Sequence, residues 1–83
     1  MFSNTVKDEY GKACEKHPPI HSLHEGLAIL EEEVAEFRSL VYALPTAASL
    51  KNDVALKEKI TTELAQVAAV AQRIVENVVN QEA

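Results

Sequence analysis

Hydrophobic positions recur at helical spacing over three stretches of this chain, and polar or proline-containing breaks separate them. In the clearest stretch, Leu23, Leu27, Leu30, Val34, Phe37, Val41 and Leu44 return every three or four residues, along one face of a helix. Ser22 and Glu25 make a capping-box pair at its start, where a hydroxyl and a carboxylate satisfy exposed N–H groups of the first turn. Pro45 stops it, so the pattern predicts a helix over residues 22–44, about 33 Å long. Leu56, Ile60, Leu64, Val67, Ala71, Ile74 and Val78 form the next stripe and predict a helix over residues 53–80, with Asn52 or Asp53 as its cap. Alanines 65, 68, 69 and 71 accompany that stripe and allow close approach of a neighbouring helix. A weaker pattern of Val6, Tyr10 and Ala13 or Cys14 predicts a first helix over residues 4–16, ended by His17-Pro18-Pro19. Between the second and third helices, residues 46–52 read as a polar connection.

The fold class that follows is all-α: a short N-terminal helix and a long antiparallel helical hairpin, in one domain spanning residues 1–83. The apolar stripes are too wide for one partner helix, and a chain of 83 residues buries little core alone. Cys14 is the single cysteine, so an internal disulfide is impossible and a cysteine-based zinc site is excluded. The expected remedy is self-association, a dimer with a four-helix-bundle core or a dimer of dimers. A net charge of −5 argues against nucleic acid as a partner. No stretch has the length or apolarity of a membrane span, and the opening MFSNTVKDEY lacks a signal peptide's order, so the expected location is the cytoplasm.

Two helices carry acidic residues inside apolar sectors. At about 100° per residue, Glu33 falls between Leu30 and Leu40, and Glu36 lies on the margin of the same sector. The third helix repeats the placement with Glu63 between Ile60 and Val67, and Gln66 on the margin. An ionised carboxylate in such a place needs a partner or takes up a proton, and carboxylates converging from two helices repel one another. A divalent cation resolves both problems, and hard oxygen donors suit Mg²⁺ or Mn²⁺. A solvated acidic face with i,i+4 ion pairs is the alternative; spacing alone favours it, and the matched placement on both helices brings the two level.

At these residues the sequence resembles a known family. Glu33-Val-Ala-Glu36 followed by Glu63-Leu-Ala-Gln66 is similar to the ExxE…ExxD signature of the MazG-like, all-α nucleoside triphosphate pyrophosphohydrolases, in particular small phage-type members. The strings from His24 to Val34 and from Glu63 to Arg73 extend the resemblance, which covers residues 10–77. It implies a helical dimer or dimer of dimers that cleaves a (deoxy)nucleoside triphosphate to the monophosphate and pyrophosphate with Mg²⁺. It also implies that Glu33, Glu36 and Glu63 ligate the metal together with the position of Gln66, where the family carries aspartate. A neutral amide there offers oxygen without charge. Glu32 or Glu33 is the candidate proton acceptor for the attacking water.

Arg73 and Asn77 follow Gln66 along the same helix margin and are candidate contacts to phosphate or sugar. They read equally as surface residues. Lys51, Lys57 and Lys59 could reach a neighbouring subunit's phosphates, but solvated lysines are the better reading. His17, His21 and His24 flank a proline turn without a further ligand at metal-site spacing and read as solvated. Ser3, Ser22, Ser39 and Cys14 have no adjacent base, which gives nucleophilic catalysis no support. Two rivals stand beside the enzyme: a nucleotide-binding module that lost catalysis at Gln66, and a plain helical interaction protein using its apolar stripes.

Overall fold

The computed structural model describes residues 1–44 and 48–82, and every regular element among them is helical. Three helices form the body: α1 (Phe2–Lys16), α2 (Leu23–Ala43) and, after a single-turn α3 (Ala48–Lys51), the long α4 (Val54–Ile74). Pro45, the expected stop of the second helix, and Thr46, the expected start of the connection, lie outside the described residues.

Capping explains the boundaries. The Ser22 hydroxyl accepts from the Glu25 N–H at 3.1 Å, as the capping box requires. The returning Glu25 carboxylate takes the N–H of His21, at 3.3 Å, rather than that of Ser22. Asp53 caps α4 by accepting from the Leu56 N–H at 2.9 Å. α1 starts earlier than its periodicity suggests, because the Met1 carbonyl accepts from Asn4 and Thr5 and opens the helix at Phe2. The third helix does not stay α-helical to residue 80. After Ile74 it widens into a π turn, Val75–Val79, and closes with a 3₁₀ turn, Asn80–Glu82. Three of the five residues of the π turn are valines, whose branched Cβ atoms crowd an α-helical turn.

α4 is the central element, packed against both α1 and α2. Gly26, early in α2, meets the end of α4, whereas Glu33 and Glu36 further along α2 meet Glu63 in the first half of α4. Close packing is achieved with small residues: Ala65 and Ala69 are buried, and a Cβ on Gly26 would lie 2.8 Å from Ile74 Cγ1. Ile20, from the Pro18-Pro19-Ile20 connection, is fully buried and reaches the same place, 3.5 Å from that Cβ position. Burying its side chain contributes roughly 2–3 kcal/mol.

The body measures 46 × 24 × 21 Å, about two helices across, so every helix keeps a solvent face. The buried apolar set is accordingly small: Ile20, Ala65, Ala69, Val70 and Val78. The apolar stripe of α2 is covered only in part among the described residues: Leu30, Val34, Phe37 and Leu44 are half-buried. Leu23 and Leu27 are 58% and 53% exposed, and Val41 and Tyr42 are exposed with them. On α4 and the following turn, Val54, Leu64, Val75 and Val79 are likewise exposed. The residues that α2 turns toward α4 include Gly26 and Glu33, so the seam between these helices carries carboxylates where a leucine zipper would carry side-chain hydrocarbon.

Candidate metal centre

Glu33 and Glu36 sit one turn apart on α2, and Glu63 faces them from α4. Each offers a carboxylate oxygen, and these atoms all lie within 4.8 Å of one another. Glu33 and Glu63 are half-buried and Glu36 is exposed, so the cluster opens to solvent on one side. One oxygen of Glu33, Oε2, and one of Glu63, also Oε2, are buried without a hydrogen-bond donor. Buried carboxylate oxygens normally find a donor, and leaving one bare costs roughly 1–3 kcal/mol or more.

The electrostatics record the same tension. Burial pushes the Glu33 carboxyl up to about 7, and the neighbouring charges of Glu36 and Glu63 add to it. Glu63 is raised too, first by burial and then by the neighbouring Glu36 carboxyl. Three carboxylates from two helices, two with bare buried oxygens, are a donor set that suits a hard divalent cation. Glu33, Glu36 and Glu63 are thus the residues that fit such an ion.

Gln66 stands apart from this trio. Its amide donates to Glu9 Oε1 at 3.0 Å and ties α4 to α1. That bond is the main reason Glu9 titrates below the usual carboxylate range. Lys12 supports it from one turn on, 3.2 Å from the other Glu9 oxygen. Glu9 is therefore a charged neighbour of the site that periodicity did not single out. Its i,i+3 spacing to Lys12 was visible, but nothing local indicates that this face of α1 meets α4.

Beside the cluster a groove of about 410 Å³ runs between the helices. Glu32, Glu33 and Ile29 line it from α2, Gln66 and Arg73 from α4, and Glu9, Lys12 and Lys16 from α1. Glu32 is exposed on this wall, outside the trio. Arg73 is 4% exposed, the one buried charged residue among those described, and its Nη2 donates to the Pro18 carbonyl at 3.1 Å. Asn77 is half-buried beyond Arg73, beside Cys14, His17 and Pro19, and does not line the groove. His17, His21, His24, Lys51, Lys57 and Lys59 are all exposed. Farther along α1, the Tyr10 hydroxyl donates to the Glu76 carboxylate, which raises the tyrosine and lowers the glutamate.

No helix among the described residues is long and apolar enough to cross a membrane. No protein-family model, curated protein or solved structure matches the chain.

Proposed function

We propose that this chain is a Mg²⁺-dependent nucleoside triphosphate pyrophosphohydrolase of the MazG-like type, converting a (deoxy)nucleoside triphosphate to the monophosphate and pyrophosphate. The observation that carries the reading is the pair of buried, donor-free oxygens on Glu33 and Glu63, beside Glu36, with Glu33 lining a groove. Glu33, Glu36 and Glu63 would hold Mg²⁺ or Mn²⁺. The ion would neutralise phosphate charge and polarise the α-phosphorus toward water. Glu32, exposed on the groove wall, or Glu33 would take the proton of the attacking water.

In this proposal α2 and α4 form an antiparallel hairpin, and two chains associate, as a dimer or dimer of dimers, into a four-helix core in the cytoplasm. The exposed Leu23, Leu27, Val41, Val75 and Val79 support it, because a chain of this size gains stability by covering such faces. One observation favours a second reading, a nucleotide-binding module without turnover. Gln66, where the resembling family has aspartate, spends its amide on Glu9 rather than adding a charge to the trio.

Two measurements decide. Melting in EDTA and in millimolar Mg²⁺ or Mn²⁺, with and without nucleotide, reads the metal. At tenfold excess over Kd, binding to the folded state adds about 1.4 kcal/mol, or roughly 5–10 °C. Pyrophosphate release from a panel of nucleoside triphosphates reads turnover. Indifference of the melting temperature to both ions with nucleotide present sinks the metal centre, and binding without pyrophosphate selects the inactive module.

A further inference from the structure

The cationic side of the groove is not used by the three glutamates. Arg73 is 4% exposed, yet the only ion pair among the described residues joins Lys12 to Glu9. A buried guanidinium has five N–H donors and stays charged, so it needs acceptors. The Pro18 carbonyl, 3.1 Å from Nη2, is the one hydrogen-bond acceptor it has among the described residues. Its side chain forms part of the groove wall, and Lys16 of α1 lines the same groove, exposed and without an ion-pair partner among the described residues. Glu25 of α2 also lines the groove, exposed, with one carboxylate oxygen accepting from the His21 N–H.

We propose that Arg73 and Lys16 form a phosphate subsite at the end of the groove away from Glu33, Glu36 and Glu63. The fork of a guanidinium matches two phosphate oxygens, and a lysine adds a point charge. Arg73 lies about 15 Å along α4 from Glu63, less the reach of its own side chain back toward the helix start. A triphosphate is shorter than this rise, and the reach of the Arg73 side chain toward Glu63, with an ion on Glu63, covers the remainder. The subsite deepens the function proposed above and rests on it for the identity of the ligand, with its metal-bearing phosphate toward Glu63 and its far phosphate toward Arg73. A purely architectural Arg73, a strut under the Pro18 turn, explains the one hydrogen bond but gives Lys16 no part.

The test is calorimetric titration of the full chain with inorganic tripolyphosphate at low salt, in EDTA and again in Mg²⁺. The expected result is binding in both buffers, weakened about threefold in Lys16→Gln and about tenfold in Arg73→Lys. Lys7→Gln, exposed and outside the groove, leaves it unchanged. Absence of binding in both buffers overturns the subsite, as does equal affinity in the wild type, Lys16→Gln and Arg73→Lys. If Arg73→Lys does not fold, Lys16→Gln decides alone. The metal reading fails separately. Binding in EDTA that responds to Lys16→Gln, with no gain from Mg²⁺ and no effect of Glu63→Gln on it, keeps the subsite and removes the metal centre. A gain from Mg²⁺ that Glu63→Gln abolishes, with Lys16→Gln and Arg73→Lys silent, does the reverse.

Discussion

Replacing Glu33 with glutamine should stabilise the metal-free protein above neutrality while removing its response to metal. The Glu33 carboxyl titrates at about 7 against an ordinary 4.5, because burial and the charges of Glu36 and Glu63 oppose its ionisation. A carboxyl raised by folding stabilises the native state fully below pH 4.5, and that contribution is lost as pH rises through about 7. At about 1.4 kcal/mol per pH unit the gap sets a ceiling of about 3.4 kcal/mol. Glu33 is only half-buried, and solvent screening reduces this to about 1–2 kcal/mol. Glutamine keeps the shape and discards the charge. Urea denaturation in EDTA at fixed protein concentration, from pH 4 to pH 8.5, should show the wild type weakening between pH 4.5 and 7.5 and Glu33→Gln weakening less. The variant should gain about 1–2 kcal/mol over the wild type at pH 8 and nothing at pH 4. Addition of Mg²⁺ should reverse the order, since only the wild type keeps the full ligand set. A Glu33→Gln protein less stable than wild type at pH 8 in EDTA, or with the same pH profile, would refute the argument that this carboxylate is held against its own preference.

Gln66→Asp should lower stability in EDTA by about 1–2 kcal/mol, because it exchanges the bond to Glu9 for repulsion, and Mg²⁺ should restore more than it does in the wild type; chemical denaturation with and without the ion reads both. Gly26→Ala should destabilise by about 1 kcal/mol despite alanine's better helix propensity, since the new Cβ would meet Ile74 at 2.8 Å and force α2 and α4 apart. A melting temperature above that of wild type would show that Ile74 gives way freely. Light scattering at micromolar concentration should report at least a dimer, and Leu27→Glu, which charges an exposed leucine on α2, should shift it toward monomer. A wild-type monomer that stays folded on dilution would disprove the association.

Helix content and much of the acidic cluster were determined by the sequence itself. Ser22 and Asp53 cap within one turn, and that chemistry needs only neighbouring residues. Glu33 and Glu36 share a helix face by spacing alone, and the matching place of Glu63 in the apolar sector of its own helix told that the two faces could meet. Tertiary structure decided what lies around them. Glu9 reaches Gln66 because α1 lies along α4, a pairing across 57 residues that no periodicity encodes. Arg73 is buried because Pro18 folds its carbonyl over the guanidinium, although the sequence pattern suited a surface arginine as well. Gly26 brings α2 close to the end of α4, the seam holds carboxylates, and Leu23, Leu27 and Val41 of the apolar stripe stay outside. Spacing along one helix fixes which residues share a face. Which face a second helix covers is chosen by the packing of the whole chain, where small residues, a proline turn and a buried cation outweigh the hydrophobic pattern of either helix alone.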